Sequence, residues 1–567
     1  MTAGKGAITL AVIVWASTLV AAAGKPSGVF FAYSVTNDAP GDVLLDQKDR
    51  GSAHVTPAGL FVTADTCMVC HNSLVTPAGE DVSIGADWRA SMMANSARDP
   101  YWMAAVRREV MDHPDAAAAI EDECTVCHMP MTTFPERAAG RKGRFFGLLP
   151  TAQPPDPNAA LAADGVSCTV CHQIQPTNLG TPASFTGGYV IDATRTPGTR
   201  RVFGPFAVDT GRTRVMQTSS TFQPEQATHV QQSELCATCH TLFTHSLATG
   251  AAGARLPEQA PYLEWQQSAF KDTQSCQSCH MPVVEGDMAL TQVLGQPRPG
   301  FSRHSFRGGN FFMMRMLNRY RADLGVRASP QEMAAAIART ERHLTEDTAR
   351  VSVARSERSG DLLAIDVDVE NLAGHKLPTA YPSRRVWVQL TVQDDTGRVV
   401  FESGAVLPDG RITGNDNDVN GATYEPHYAE ITRADQVQVY ESMMVDPAGR
   451  VTTGLLTGAR YVKDNRLMPK GMPRGGGAAD VAVHGAAARD ADFIGGQDRV
   501  AYRLPLNGAQ GEVTVTARLW YQPIGFRWAE NLRAYDAPEP RRFVSYWDAM
   551  ASESALMLST DTLRVRQ

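Results

Sequence analysis

The sequence predicts a mixed fold, in which an N-terminal part of short helices and coil precedes a C-terminal antiparallel β-sandwich. Two observations predict this division. All ten cysteines lie between residues 67 and 279, among polar stretches rich in glycine and proline, whereas residues 281–567 contain none. The second half instead shows the two-residue alternation of strands with one buried face, as in residues 363–369 and 513–516. A chain of 567 residues also exceeds the usual size of a single hydrophobic core.

The first 23 residues have the layout of a secretory signal peptide. Lys5 precedes an apolar run over residues 7–23 that ends in small residues. We therefore expect cleavage near Ala23 and a periplasmic or extracellular location. An uncleaved anchor is the alternative, because the run is close to the shortest length that spans a bilayer. No later stretch is apolar enough to span one, so the chain is not expected to be an integral membrane protein after cleavage.

The cysteines form five copies of one pattern, C-x-x-C-H. These copies occupy residues 67–71, 124–128, 168–172, 236–240 and 276–280. The pattern is the attachment signature of c-type haem, in which both thiols form thioethers and the histidine ligates iron. Zinc sites and disulfides also use cysteine pairs, but a histidine follows all five copies here. The sequence therefore predicts five covalently bound haem c groups.

The predicted haem-binding residues follow directly from these motifs. The attachment cysteines are Cys67, Cys70, Cys124, Cys127, Cys168, Cys171, Cys236, Cys239, Cys276 and Cys279. The proximal iron ligands are His71, His128, His172, His240 and His280. Because haem c is attached outside the cytoplasm, the motifs agree with the predicted export signal.

The predicted domains follow from the position of the motifs and from one helix start. Residues 24–325 are expected to form a pentahaem domain in which porphyrins fill much of the core. Ser329, Pro330 and Glu332 combine an N-cap, a proline at the first helical position and a capping box. This pattern predicts a connecting helix within residues 326–346. Residues 347–567 would form the β domain, where strand signals at 386–392 and 399–403 flank a turn and favour an immunoglobulin-like sandwich.

Nine histidines lie outside the motifs and could ligate the irons from the distal side. His229 precedes Cys236 by seven residues, His304 is followed by two glycines that permit close approach of the backbone, and His375 lies between glycine and proline turns. These three are the best candidates, and His375 would tie the β domain to the haems. His54 and His113 are weaker candidates. His343, on the exposed face of a charged helix, is expected to be structural, as are His427 and His484.

The N-terminal half resembles the multihaem cytochromes related to cytochrome c nitrite reductase and hydroxylamine oxidoreductase. The resemblance rests on SELCATCH (233–240), PYLEW (261–265), SCQSCHMP (275–282) and a second CHMP at 127–130, and covers about residues 60–310. It implies haem attachment and a multihaem architecture. The nitrite reductases attach their active-site haem through C-x-x-C-K, which is absent here, so their activity is not implied. The β half lies outside this resemblance.

The same resemblance suggests Met93 as a further distal ligand. Many multihaem cytochromes carry W-x-x-S-x-H-A, in which the histidine is a distal ligand. Residues 88–94 match this pattern with Met93 in place of the histidine, and a second W-x-x-S at 265–268 has Phe270 there. A methionine ligand would raise the potential of its haem. Apolar packing beside a porphyrin is the alternative role for Met93.

Residues 416–421 match the first half of a D-x-D-x-N-G calcium loop. Asp416, Asp418 and Asn420 would supply oxygen ligands to a hard cation. An EF-hand would require a glutamate at the twelfth position, which is His427. The alternatives are therefore a different calcium-binding loop or a solvated turn without metal.

These predictions favour an electron-transfer protein that exchanges electrons with a redox protein or an extracellular acceptor. A formal charge of −7 gives no reason to expect a nucleic-acid partner. One alternative is an oxidoreductase that converts a small nitrogen or sulfur compound at a haem with an open distal position. Another is a β domain that binds a partner, while the haems carry electrons to or from it. A homo-oligomer or filament is a further expectation for the assembly.

Overall fold

The N-terminal half consists of short helices joined by long connections in the computed structural model, which describes residues 59–149, 154–250 and 253–566. The predicted signal peptide and His54 lie outside the described residues. The helices of this half are α1 (Asp65–Met68), α2 (Ile84–Arg89), α3 (Pro100–Asp112), α4 (Ala117–His128), α5 (Pro130–Ala138), α6 (Ala159–Ala163), α7 (Cys168–Cys171), α8 (Thr210–Ser220), α9 (Ser233–Ala237), α10 (Pro261–Gln266), α11 (Cys276–His280), α12 (Phe311–Arg319) and α13 (Pro330–Asp347).

Two small sheets accompany these helices. Strands β1 (Arg200–Gly204) and β2 (Phe222–Gln226) pair in parallel, and β3 (Leu242–His245) and β4 (Arg255–Gln259) pair antiparallel. Among the described residues, no helix combines the length and the apolar composition that crossing a bilayer requires.

Helix α13 begins where the capping signal predicts. The Ser329 hydroxyl accepts a hydrogen bond from the Glu332 amide at 3.2 Å, and the Glu332 carboxylate accepts one from the Ser329 amide at 2.8 Å. This capping box satisfies two amides that a helix start otherwise leaves unpaired. The predicted helix start is therefore confirmed.

The C-terminal half is built mainly from strands. They are β5 (Ala349–Ser359), β6 (Leu362–Asn371), β7 (Arg385–Gln393), β8 (Val399–Ser403), β9 (Glu430–Ile431), β10 (Val439–Tyr440), β11 (Ser442–Val445), β12 (Val451–Thr452), β13 (Arg460–Asp464), β14 (Gln497–Pro505), β15 (Val513–Gln522) and β16 (Leu556–Val565). Three helices interrupt them, α14 (Asp416–Val419), α15 (Phe526–Glu530) and α16 (Pro538–Met550).

These strands form two larger sheets and one small sheet. One larger sheet has the order β5-β6-β14-β9, and the other has the order β10-β7-β15-β16 with β8 also paired to β7. The small sheet has the order β12-β11-β13. All their pairings are antiparallel except that of β9 with β14. The predicted mixed fold is therefore confirmed, whereas the immunoglobulin-like topology stays a prediction.

The predicted alternation is present in β6. Leu363, Ile365, Val367 and Val369 are fully buried, while the acidic residues between them are partly exposed. A strand directs successive side chains to opposite faces, so this pattern places one face of β6 in the core. The neighbouring strand β14 of the same sheet continues the core with Val500 and other apolar residues.

Both halves contribute to one large apolar cluster. It contains residues of both larger sheets together with Tyr101 of α3, Phe311 of α12 and Met333 of α13. All described residues belong to one compact unit. The other apolar clusters of the N-terminal half are small and include the sulfur-bearing residues Cys124, Cys171 and Cys239 at their edges. The predicted domain boundaries stay predictions.

Candidate haem-binding site

Each C-x-x-C-H motif lies on a helical turn. The motifs coincide with α1, α4, α7, α9 and α11 or continue directly from them. In three motifs the histidine amide donates to the carbonyl of the first cysteine: His71 to Cys67 at 3.1 Å, His172 to Cys168 at 3.1 Å and His240 to Cys236 at 2.9 Å. Residues three and four apart share one face of a helix. Both thiols and the imidazole of a motif therefore lie on one side of the turn, as covalent attachment of haem requires.

Four of the five motif histidines have a fixed Nδ1 partner. Each Nδ1 lies close to a backbone carbonyl oxygen: His71 to Leu290 at 2.7 Å, His128 to Ser96 at 2.9 Å, His172 to Phe203 at 2.6 Å and His280 to Arg307 at 2.5 Å. A carbonyl can only accept, so Nδ1 carries the proton and Nε2 keeps its lone pair. This is the tautomer that metal ligation through Nε2 requires.

The segments that supply these carbonyls also bind back to the motifs. The Phe203 amide donates to the His172 carbonyl at 2.6 Å, and the Arg307 amide donates to the His280 carbonyl at 3.2 Å. The Ser96 hydroxyl donates to the His128 carbonyl at 2.9 Å. Two contacts on each of these three histidines fix the orientation of the ring as well as its tautomer.

Thiol contacts bring the five motifs together. In three pairs, thiols of different motifs lie close enough to shift each other's pKa: Cys67 with Cys168, Cys127 with Cys239, and Cys236 with Cys276. Burial raises the pKa of the Cys171 thiol to about 12, and the neighbouring Cys239 adds to this shift. The first motif therefore lies beside the third, and the fourth lies beside the second, the third and the fifth.

Two motif histidines face a second histidine at the spacing expected for an iron between them. The ring centres of His172 and His304 are 6.3 Å apart with an interplanar angle of 23°, and those of His280 and His375 are 6.2 Å apart at 12°. A metal–imidazole bond is about 2 Å long, so two imidazoles on opposite sides of one metal have ring centres about 6 Å apart. The structure thus brings two of the predicted distal candidates opposite predicted proximal ligands.

The distal members of these pairs also have a free Nε2. The Nδ1 of His304 lies 3.2 Å from the Ser302 carbonyl, and that of His375 lies 2.9 Å from the Lys376 carbonyl. Burial lowers the pKa of His304 to about 3 and that of His280 to about 4, and it also lowers the pKa values of His172 and His375. Neutral imidazole is the form that ligates a metal, so burial favours ligation.

The sequence did not single out His343 as a candidate iron ligand. Its helix face was expected to be exposed, but its side chain is only 14% exposed. Its ring centre lies 6.2 Å from that of His280 at an interplanar angle of 75°, and its Nδ1 lies 3.0 Å from the Asp347 carboxylate. The expectation of an exposed, structural residue was therefore wrong about its exposure. The carboxylate four residues later on the same helix was the available signal, since carboxylates often orient histidine ligands.

The other predicted distal ligands have different surroundings. The Nε2 of His229 lies 2.8 Å from the Ile174 carbonyl, so its free nitrogen is Nδ1. The Nε2 of His113 lies 3.3 Å from the Thr457 hydroxyl. Met93 packs against the apolar cluster that includes Val170. Their role as ligands stays a prediction.

Three motif histidines have no opposed imidazole in the described ranges. These are His71, His128 and His240. Instead, the indole ring of Trp102 stacks on His128 with ring centres 4.1 Å apart and an angle of 1°. Burial lowers the pKa of His240, and the Arg384 charge adds to this effect.

A buried ion network supports His375. Lys376 is fully buried, and its ammonium lies 2.8 Å from the Asp464 carboxylate. Arg466 lies 2.7 Å from Asp464 and 3.0 Å from Glu264. Glu264 in turn accepts a hydrogen bond from the Lys376 amide at 3.1 Å. The network therefore joins α10 in the N-terminal half to β13 and to the segment that carries His375.

The predicted calcium ligands differ in their partners and in their exposure. Both carboxylate oxygens of Asp418 accept from Arg385, at 2.7 and 3.0 Å, and Asp418 is buried. The side chain of Asn420 accepts from the Ala422 amide at 3.1 Å, while Asp416 is exposed. A guanidinium already neutralises Asp418, so this arrangement gives the calcium prediction no support.

Comparisons with known proteins identify no family. No protein-family model matches the chain, and no curated protein matches it. A solved structure, that of a penta-haem cytochrome c552 from Thermochromatium tepidum, is 14% identical, with a TM-score of 0.48 over 89% of this chain and 99% of that chain.

Proposed function

We propose that this protein is an exported c-type cytochrome that holds five haem c groups and passes electrons along them to or from a redox partner. The observation that carries the proposal is the joining of all five C-x-x-C-H motifs by contacts between their cysteines. Haem iron alternates between ferric and ferrous states and so carries one electron. Neighbouring attachment points place the carriers side by side, as transfer between them requires.

The protein residues would hold each haem and set its ligands. The cysteines attach the porphyrin edge, and the carbonyl partners of Nδ1 orient the proximal imidazoles. We assign His304 as the distal partner of His172 and His375 as the distal partner of His280, because each pair has the spacing of two imidazoles on one metal. His54, Met93, His229 and His113 remain candidates for the other centres.

The cysteine contacts also suggest an order for the electron path. The third motif lies between the first and the fourth, and the second and fifth both lie beside the fourth. Electrons that enter at the first motif would therefore reach the fourth through the third. From the fourth motif they could leave through the second or the fifth.

Covalent attachment is the first test of this proposal. We expect the denatured protein to keep its porphyrin during acid–acetone extraction, and intact-mass analysis to show five haems per chain, one for each motif. A Cys67→Ala/Cys70→Ala variant is the matched comparison and should carry four, because only one of the five motifs has been removed. Complete extraction of porphyrin from the wild type would contradict the proposal.

The assigned ligand pairs predict which variants change the spin state of iron. We expect His304→Ala and His375→Ala each to convert one low-spin ferric centre per chain to high spin, because each removes a distal imidazole. Electron paramagnetic resonance of the oxidised protein measures this. His245→Ala, which changes an exposed histidine, is the control. If His343→Ala produced the high-spin centre and His375→Ala did not, the distal partner of His280 would be His343 and not His375.

One observation favours a second function, that of an oxidoreductase acting on a small nitrogen or sulfur compound. His71, His128 and His240 face no histidine within the described part of the chain, and an iron with an open distal position can bind a substrate. The same spectroscopy separates the two functions. Five low-spin signals in the wild type support electron transfer alone. A stoichiometric high-spin signal that shifts on addition of nitrite or hydroxylamine would support the enzyme.

The finer predictions about organisation and location belong to the same proposal. A domain boundary near residue 325 and an immunoglobulin-like sandwich over residues 347–567 are supported by the concentration of strands after Ala349. The two larger sheets also share one apolar cluster, as a sandwich requires. Export to the periplasm or beyond is supported by the N-terminal sequence and by the chemistry of haem c. Assembly into an oligomer or filament would extend the electron path between chains.

A further inference from the structure

Glu258 is a buried carboxylate without a partner. Glu258 is 8% exposed, and its carboxylate has no hydrogen bond or ion pair with any of the described residues. The other buried carboxylates in the described ranges each have one. For example, Glu109 accepts from the Leu455 and Leu456 amides, and Glu539 pairs with Arg107. An unpaired buried carboxylate is costly when ionised, so its position requires an explanation.

A β-bulge sets the position of Glu258. In the β3–β4 hairpin, Leu242 lies opposite Gln259 and Phe243 lies opposite Pro257, so Glu258 has no residue opposite it. Bulges turn a side chain out of the regular pattern of a strand and are frequent beside functional sites. The bulge therefore directs one acid away from the ladder of the small sheet.

The Glu258 carboxylate lies beside the second haem-attachment motif. Burial raises the pKa of the Cys124 thiol well above its usual value, and Glu258 is the strongest charge that adds to this effect. The neighbouring Cys239 thiol and burial raise the pKa of Cys127 most, and the charge of Glu258 adds to this shift. The charge of this carboxylate therefore acts on Cys124 and Cys127, the two attachment cysteines of one haem.

The groups around Glu258 are mostly acidic or neutral. Glu109 on α3 and Glu123 on α4 act on it directly, and Tyr381 and Tyr461 face it from the C-terminal half. The cations of this cluster act on its other members: Arg108 on Glu109 and Tyr381, Arg137 on Glu123, and Arg466 on Tyr461. Burial, followed by the charges of Glu109 and Glu123, raises the pKa of Glu258 to about 8. Glu123 is exposed and gives the cluster access to solvent.

From this geometry we infer that Glu258 takes up a proton when the haem attached to Cys124 and Cys127 is reduced. The inference rests on the proposed function, since it requires a haem at the second motif. One electron from the redox partner enters the iron, one proton from solvent binds the carboxylate, and the net charge of the pair does not change. Oxidation releases both. Electron transfer through this centre is thereby coupled to proton transfer.

The sign of the effect follows from electrostatics. A ferric centre has one more positive charge than a ferrous centre, so it favours the ionised carboxylate, and reduction favours the protonated form. Between the two pKa values that result, the reduction potential of this haem falls by about 59 mV for each unit of rising pH. Glu258→Gln keeps the shape of the protonated acid and removes the titration. Its potential should stay near the value that the wild type reaches at low pH.

The test is a pH-dependent redox titration of the wild type, Glu258→Gln, Glu258→Asp and Glu285→Gln, an exposed acid that serves as the control. We expect one haem of the wild type and of Glu285→Gln to show the slope, Glu258→Gln to lose it, and Glu258→Asp to keep it. Glu109→Gln should move the sloping region to lower pH, because Glu109 raises the pKa of Glu258. Infrared spectra of reduced minus oxidised protein should contain a protonated-carboxyl band that Glu258→Gln lacks.

The outcomes separate this inference from the proposed function. Absence of any redox-active haem would overturn both. Five working haems whose slopes and carboxyl bands are the same in the wild type and in Glu258→Gln would overturn the role of Glu258 alone. That result would assign the proton uptake to another group, such as a haem propionate.

Discussion

An Asp464→Asn variant is expected to lose about 3–5 kcal/mol of unfolding free energy, because it removes the shared partner of two buried cations. Lys376 is fully buried against Asp464, and Arg466 contacts the same carboxylate. The midpoint of urea unfolding of the haem-loaded protein measures the loss. Asp368→Asn is the matched control, because it breaks a more exposed pair with Arg499 and should cost no more than about 1 kcal/mol. Equal losses in both variants would contradict this expectation.

The contacts of Asp464 with Lys376 and Arg466 also predict the sign of a pH dependence of stability. Although burial opposes it, the charges of Arg466 and Lys376 hold the pKa of Asp464 below its usual value. A carboxylate with a lowered folded-state pKa stabilises the protein above its unfolded-state pKa of about 4, and this stabilisation is lost as the pH falls towards the folded-state pKa. The difference between the wild type and Asp464→Asn should therefore be largest near neutral pH and shrink in acid.

Removing the fourth motif is expected to divide the electron path. A Cys236→Ala/Cys239→Ala variant should keep four of the five haems, but it loses the motif that lies beside the second, third and fifth. Electron transfer between centres requires close cofactors, so the remaining haems would separate into groups that exchange electrons slowly. Stopped-flow reduction should resolve several phases where the wild type shows one dominant phase.

The matched control is removal of the first motif, which has a thiol contact only to the third. Cys67→Ala/Cys70→Ala shortens the path at one end and should leave the other four haems in rapid exchange. If both variants showed the same kinetics, the central position of the fourth motif would be wrong. Haem counts by mass ensure that each variant has lost one haem and no more.

The parts of this structure that sequence could predict are those set by short-range patterns. The five motifs, the capping box at Ser329 and the alternation in β6 each depend on residues within one turn or one strand. His304 and His375 were selected from their glycine and proline neighbours, and the structure places both opposite motif histidines. In these cases the local sequence requirement and the long-range position agree.

The remaining features depend on contacts between distant segments. His343 has the sequence surroundings of a surface helix, and only the packing of α13 buries its side chain. Asp418 looks like a calcium ligand until Arg385, which is 33 residues earlier, takes its carboxylate. Glu258 is unremarkable in sequence, because its bulge and its neighbours on α3 and α4 appear only in the folded chain. No local pattern encodes such pairings.

The position of His375 has a consequence for the order of biosynthesis. On the proposed export, the chain would emerge N-terminus first, so all five cysteine motifs would leave the translocation channel before residues 347–567 do. On the proposed ligand assignment, haem can be attached at Cys276 and Cys279 while His375 and its supporting residues Asp464 and Arg466 are still absent. The iron bound by His280 would then complete its coordination only when the strands after Ala349 have folded. The distal ligand of this iron would thus be bound only after the C-terminal half of the chain has been synthesised and has folded.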